Sequence, residues 1–298
     1  MKSILITGSN SYIGRAVRRR LESEPELYDV DEISVRGDDW KRQDFSQYDA
    51  VLHVAGIAHV STDPSMEGEY YRVNRDLAIA VARKTKAEGV KQFLLTSSAI
   101  VYGDSNASVG TGITPGTKPS PANFYGKSKL EAERGVSELE DGQFKVAIMR
   151  LPMVYGPGCK GNFPSLASIA RRCPVFPSVG NRRSVIYIGN LTEFVTALIL
   201  SGEGGLFWPQ NADYFDTGEA IRMLGQIQGR KVSLLPALRF VSSLACRFTR
   251  PGRKAFGSLW YSHDACDCRF NKACCKYSFE ESLAEYCAQD SSLCGDAR

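Results

Sequence analysis

The sequence predicts an α/β protein, with a doubly wound parallel sheet in residues 1–150 and a smaller C-terminal lobe in residues 151–298 that is interleaved with late elements of the sheet. Three observations predict it. Short apolar runs at 4–6, 31–35, 50–54, 92–95 and 145–149 alternate with amphipathic stretches at 12–23, 66–88 and 123–140, the rhythm of strands and crossover helices. The first run passes through a glycine turn straight into a helical stretch. At 298 residues and 43% hydrophobic content the chain can bury a substantial core, and no repeat or low-complexity linker interrupts it.

The first element carries chemistry. Ile4-Leu5-Ile6 leads through Gly8 into the stretch Tyr12 to Glu22, with Gly14 small enough to let that helix pack close to the sheet. Free amides at a helix start suit a pyrophosphate, so this turn reads as a dinucleotide site. Ser11 stands where a middle glycine is usual, so its hydroxyl either widens the pocket or donates a hydrogen bond. Arg18, Arg19 and Arg20 read as a solvated helix end. The second strand closes as Glu32-Ile33-Ser34-Val35-Arg36, placing Ser34 where NAD-binding proteins carry an acid. A serine followed by Arg36 leaves NADP open, because an arginine can take an extra phosphate.

The fourth run, Phe93-Leu94-Leu95, ends in hydroxyls at Ser97 and Ser98, and strand ends of this kind are where open α/β sheets place ligands. Ordinary strand-end capping is the plainer reading of those two serines taken alone. The helical stretch from residue 123 begins Asn123-Phe124-Tyr125-Gly126-Lys127-Ser128-Lys129. One helical turn sets the Tyr125 phenol beside the Lys129 ammonium, and Ala132, Val136 and Leu139 continue the same apolar stripe. A phenol titrates near roughly 10, and an adjacent cation lowers that value, which makes the pair a proton-transfer device.

Beyond Pro152 the elements shorten: a helix near 162–171, a strand at 184–188, and helices at 191–200 and 217–228. Residues 232–250 combine Leu234, Leu235, Leu238, Phe240, Val241, Leu244 and Phe248 with Arg239, Arg247 and Arg250. The expectation is a helix packed within the smaller lobe, with an interfacial membrane helix as the alternative. Seven of nine cysteines (Cys246, Cys266, Cys268, Cys274, Cys275, Cys287 and Cys294) crowd the last quarter, without the two-residue gaps of a zinc site. We expect free thiols and no metal. The net charge of +4 is spread along the chain, which argues against nucleic-acid binding. No signal-like start and no apolar stretch of spanning length are present, so the expectation is a cytoplasmic protein.

Five motifs in order, TGSNSYIG at 7–14, HVAGIAH at 53–59, SSAIVYG at 97–103, YGKSK at 125–129 and RLPMVYGPG at 150–158, resemble the extended short-chain dehydrogenase/reductase superfamily. The likeness is to NAD-dependent sugar-nucleotide epimerases of the UDP-glucose 4-epimerase type. It runs from Met1 to about Gly229, and residues 277–283 resemble the family's terminal helix. The resemblance implies a Rossmann fold, an NAD cofactor, a UDP-sugar substrate, and pairing through a two-helix face as a homodimer. Gly8, Asn10, Ser11, Tyr12, Ile13 and Gly14 would form the phosphate turn, and Ser34 and Arg36 would meet the ribose. Asp44 and Phe45 resemble the adenine contact, Val54, Ala55 and Gly56 the backbone wall, and Asn74 the asparagine that steadies the active site.

The resemblance also implies the reaction. Tyr125, with Lys129, would take the proton of the sugar 4-hydroxyl while Ser98 holds the oxygen, giving a transient 4-keto sugar that is reduced on its other face. The role implied is nucleotide-sugar supply for polysaccharide synthesis. Asn162 and Arg183 would bind the diphosphate. Leu151, Pro152 and Met153 replace the tyrosine, phenylalanine and asparagine of the galactose epimerase, which makes an acetamido sugar or an uncommon hexose credible. Ala99 and Ile100 stand where 4,6-dehydratases carry an Asp-Glu pair, which argues against elimination. An NADPH-dependent ketosugar reductase remains the rival reading, and a non-enzymatic binding scaffold would have no need of the triad Ser98, Tyr125 and Lys129.

Overall fold

The computed structural model describes residues 1–58, 63–103, 112–265, 270 and 274–289. Its elements run β1 (Lys2–Thr7), α1 (Tyr12–Glu22), β2 (Tyr28–Ile33), β3 (Ala50–His53), α2 (Glu67–Tyr70), a π-helical turn Tyr71–Asp76, α3 (Leu77–Ala87), β4 (Gln92–Ser98), α4 (Phe124–Ser137), β5 (Lys145–Leu151) and β6 (Met153–Tyr155). They continue with α5 (Asn162–Arg172), β7 (Val175–Pro177), β8 (Val185–Tyr187), α6 (Ile188–Ser201), β9 (Gly205–Phe207), α7 (Thr217–Ile227), β10 (Ser233–Leu235), α8 (Arg239–Phe248), α9 (Arg250–Phe256) and a last helix, Phe279–Gln289.

Six strands form one parallel sheet in the order β2-β1-β3-β4-β5-β9. The chain leaves β1 for β2 on one side and returns to β3 on the other, so the crevice for a ligand opens at the carboxyl ends of β1 and β3. The fold thus is the Rossmann-type α/β arrangement that the sequence predicts. Alternation between apolar strands and crossover helices needs both faces of the sheet covered, and Val51, Phe93, Leu95, Val81, Ala132 and Val136 accordingly meet in one buried cluster.

Side chains set the helix starts. Ser11 caps α1 by accepting from the Gly14 amide at 3.0 Å, and Asn123 caps α4 by accepting from the Gly126 amide at 2.9 Å. The strand expected at 31–35 begins earlier and ends at Ile33, so Ser34 is the first residue past it. Arg20 departs from the solvated cluster expected at 18–20, because its guanidinium reaches Glu193 of α6 at 2.6 Å.

The chain divides into two compact units. The first comprises Met1–Gly103, Lys118–Leu151 and Leu191–Pro209, the second Asp104–Thr117, Pro152–Asn190 and Gln210–Arg298. The second unit has its own aromatic core, where Tyr155 stacks on Phe163 at 4.6 Å and Phe163 meets Tyr286 of the last helix edge-on at 4.9 Å. Buried tyrosines need partners, and the Tyr155 hydroxyl has them in Ser282 at 2.6 Å and Asn211 at 3.0 Å.

Helix α8 differs from the expectation that its apolar residues pack inward. Phe240, Val241, Leu244 and Phe248 are exposed, while Ser242 and Cys246 are buried. Cys246, Cys274, Cys275 and Cys287 are free thiols, and Cys266, Cys268 and Cys294 lie outside the described residues, as does His59 of the second motif. No helix among the described residues is long and apolar enough to cross a membrane.

Candidate active site

The glycine turn and the loop after β3 are built against each other. A Cβ on Gly8 would sit 2.7 Å from the Ala55 amide nitrogen, and the residue adopts φ +119°, so glycine is required on two counts. Val54 and Ala55 both donate their amides to the Thr7 carbonyl, at 3.0 and 3.1 Å, which holds this wall flush with the end of β1. A Cβ on Gly14 would come within 3.2 Å of the Val54 side chain, so its absence lets α1 seat at the sheet. Asn10 takes the left-handed conformation at φ 63°. Tyr12 and Ile13 open the first turn of α1. Ser11 resolves its two readings in part: its oxygen accepts from Gly14, and its hydroxyl proton is free to donate to an anion. This cradle fits a dinucleotide pyrophosphate, since small residues bring the backbone close and the first turn of α1 presents its amides.

Glu32, two residues before Ser34, is an acid that the sequence reasoning passed over. Its carboxylate accepts from the Asn10 amide at 2.7 Å and lies 3.6 Å from the Arg18 guanidinium, so it braces the glycine turn. Ser34 and Arg36 are exposed beyond the strand, with the Arg36 amide donating to Ser34 Oγ at 3.3 Å. Asp44 is exposed and accepts from the Ser46 amide and hydroxyl. Phe45 is committed elsewhere: its ring lies fully buried in the core and its amide donates to Glu88. Of that pair, Asp44 alone keeps a side chain open to a ligand.

Asn74 sits in the π-helical turn, where an extra residue per turn rotates its side chain inward. It is buried, accepts from the Ile57 amide at 2.8 Å and donates to Ser128 Oγ at 3.2 Å. The plain surface amide is thereby excluded, and Asn74 clamps the loop after β3 onto α4. A Cβ on Gly56 would meet both Asn74 Oδ1 and Lys129 Nζ at 3.0 Å, so the bare glycine leaves the lysine room.

Ser98 ends β4, and its side chain caps the short 3-10 turn Ala99–Tyr102 that follows. Tyr125 and Lys129 lie on the first turns of α4, both buried. Lys129 Nζ donates to the Thr96 carbonyl at 3.0 Å, which pins the amine to the end of β4. Electrostatics here correct the sequence expectation of a phenolate held by the lysine. Burial pushes the Tyr125 phenol above its ordinary value, with the Ser98 hydroxyl opposing. Burial also lowers Lys129 to about 8, against the attraction of Glu133. Desolvation dominates at both groups and disfavours the charged form of each.

A second set of buried polar groups supports this corner. Arg150 of β5 forms a two-pronged ion pair with Glu133 of α4, its Nη2 2.7 Å from a carboxylate oxygen, and Ser97 donates to the same carboxylate. Arg150 also donates to the Tyr102 hydroxyl, which accepts from Trp208 Nε1 at 2.8 Å. No sequence pattern marks these pairings, because they join residues far apart in the chain. His53, buried beneath with Nδ1 2.7 Å from Thr7 Oγ1, is lowered to about 3 by burial and by Lys129, and so is neutral.

Asn162 and Arg183 belong to the second unit. Asn162 is exposed at the first position of α5, after Gly161 at φ +98°. The Arg183 backbone pairs with Phe215 through bonds of 3.0 and 2.9 Å, and burial pulls its guanidinium below the ordinary value.

The cradle, the strand-end serine and the paired tyrosine and lysine define a nucleotide-dependent enzyme of the short-chain dehydrogenase/reductase type. Residues 4–206 match the sequence profile of the NAD dependent epimerase/dehydratase family, and the chain belongs to that family. It is 31% identical over 221 residues to a UDP-glucose 4-epimerase of Vibrio cholerae, a match spanning 66% of this chain and 66% of that protein. Two solved structures share the fold: the UDP-glucuronic acid 4-epimerase of Bacillus cereus in complex with NAD (TM-score 0.75, 19% identity, 99% of each chain), and the dTDP-4-dehydrorhamnose reductase of Bacillus anthracis in complex with NADP (TM-score 0.72, 21% identity, 97% of this chain and 100% of that one).

Proposed function

We propose that this protein is an epimerase that inverts carbon 4 of a UDP-sugar through a transient 4-keto sugar. The observation that carries the reading is the convergence of Ser98, Tyr125 and Lys129 where the carboxyl end of β4 meets the first turns of α4, next to a glycine cradle shaped for a dinucleotide. A bound NAD supplies a reversible hydride acceptor with a positively charged ring. Gly8, Ser11 and Gly14 would hold its pyrophosphate, and the wall Val54 to Gly56 would lie along it.

The chain's own residues handle the proton. Tyr125 Oη takes it from the sugar 4-hydroxyl as hydride leaves carbon 4, and gives it back when hydride returns to the opposite face. Ser98 holds that oxygen by hydrogen bonding, so no unpaired charge develops on it. Lys129, anchored on Thr96, supplies the positive charge that favours the ionised phenol against the burial that resists it. In the second unit, Arg183 and Asn162 are assigned to the diphosphate, since a partly desolvated guanidinium suits that anion.

The test needs no added cofactor. Purified protein is incubated with UDP-glucose, UDP-galactose and their N-acetyl forms, and proton NMR follows carbon 4. Conversion without added dinucleotide supports the epimerase. A specific observation favours a second reading, the NADPH-dependent ketosugar reductase: Glu32 is held by the Asn10 amide and near Arg18, while Ser34 and Arg36 stand exposed past β2, as a 2′-phosphate would require. Turnover of a 4-keto sugar that consumes added NADPH, with no cofactor-free conversion, selects it.

A further inference from the structure

Helix α8 is amphipathic in the inverse sense for a helix packed on its own domain. Its buried face is Ser242 and Cys246, whereas Phe240 is 72% and Phe248 69% exposed, with Val241 and Leu244 exposed between them. At about 100° per residue, Phe240, Leu244, Phe248 and Val241 fall within one apolar arc of roughly 100°. A water-facing arc of this kind exposes two phenylalanines at a cost that a soluble helix would avoid, so a nonaqueous occupant is indicated. The helix is preceded by Leu235, itself 40% exposed.

Charge identifies the occupant. Contrary to the even spread of charge expected along the chain, residues 220–263 contain eight lysines and arginines and no aspartate or glutamate. Arg239 and Arg247 are exposed on α8 itself, Arg247 at the edge of the apolar arc beside the Phe248 ring and Arg239 at the first residue of the helix. A second basic group, Arg172, Arg230 and Lys231, lines a depression at the point where the parallel strands β7 and β10 begin. Strand β10 then leads through Pro236–Leu238 into α8. Three strand residues span roughly 10 Å, about one Debye length at moderate salt, so the cluster adds to the potential near the helix. Among the described residues no ion pair neutralises Arg172, Arg230, Lys231, Arg239 or Arg247.

We propose that α8 docks this protein on an anionic lipid bilayer, its phenylalanines, leucine and valine entering the boundary between headgroups and acyl chains while the arginines pair with lipid phosphates. An apolar arc with an arginine at its edge and further basic residues near the helix, on a helix far too short to span, is the pattern of an in-plane interfacial helix. The proposal is independent of which sugar nucleotide the active site accepts. A second copy of the chain is a poorer occupant, because two such surfaces would bring uncompensated arginines together.

The test is co-sedimentation of the 298-residue protein with vesicles of phosphatidylcholine alone and with about one third phosphatidylglycerol. The expected result is binding to the anionic vesicles that weakens as salt rises. A Phe240→Ser/Phe248→Ser variant should lose about tenfold or more of that partition, with its thermal midpoint unchanged because both rings are solvent-exposed. An Arg239→Gln/Arg247→Gln variant should bind less and show a shallower salt dependence. Equal binding to both vesicle types, or variants that bind like the parent, would overturn the proposal. So would light scattering that shows a dimer in free solution converted to monomer by the phenylalanine substitutions.

Discussion

Helices α4 and α8 break the ordinary rule of burial in opposite directions. At the start of α4 a lysine and a tyrosine go inside, whereas α8 turns two phenylalanines out and buries a serine and a cysteine. Each placement costs free energy where it stands, and in each the surrounding residues explain why it persists. Lys129 is anchored on the Thr96 carbonyl and attracted by Glu133, while burial lowers its amine to about 8. Among the described residues the α8 arc has no such partner, only Arg247 at its edge, so on the proposed reading its compensation comes from outside the chain. Local departures from burial thus point inward to chemistry in one case and outward to association in the other.

The contrast can be broken most severely at the support of α4. Replacing Glu133 by alanine strands the buried Arg150 guanidinium, and urea unfolding should show a loss of about 3–5 kcal/mol. A loss under about 1 kcal/mol would mean that the ion pair is not sealed from water.

Lys129→Met separates function from stability. The amine is lowered to about 8 from an unfolded value near roughly 10.4, so between those values the unfolded chain binds more protons and stability rises with pH. Below that window the native state carries a buried ammonium at a cost on the order of 3 kcal/mol. The methionine variant should therefore lose activity by about a hundredfold, gain or keep stability at neutral pH, and show no rise in unfolding free energy through the window. A wild-type stability profile that is flat from pH 8 to roughly 10.4 would refute the burial argument.

Asn74→Ala, which leaves the Ile57 amide and Ser128 hydroxyl without this partner, should cost about 1–3 kcal/mol, read in the same urea experiment. At the bottom of the scale, Arg72→Ala removes an exposed pair with Glu69 and should change stability by less than about 1 kcal/mol, giving the baseline against which the buried sites are judged.

Periodicity was enough to read the parallel sheet, because strands buried on both faces and their crossover helices leave a strong pattern. The same pattern places Ser98 at a strand end and Tyr125 and Lys129 on the first turns of a helix, whereas their roles rest on the resemblance of the ordered motifs. The misplaced end of β2 shows the limit: Ser34 and Val35 suit a strand as well as a turn, and only pairing with β1 stops it at Ile33. The π-helical turn that rotates Asn74 inward is invisible to a 3.6-residue period. Glu32 acts on a backbone amide and Thr96 acts through its own carbonyl, neither of which sequence patterns mark, and Phe45, which resembles an adenine contact, has its ring in the core. For α8, apolar spacing disclosed a helical face but not the direction in which it points, since that depends on what the rest of the second unit leaves uncovered.

The most direct test of the central claim compares the parent protein with Tyr125→Phe for conversion at carbon 4 of the preferred UDP-sugar by proton NMR. The account predicts at least about a hundredfold slower conversion with an unchanged thermal midpoint, because the phenol oxygen carries the proton while the ring does the packing. Conversion by Tyr125→Phe at the parent rate would contradict it.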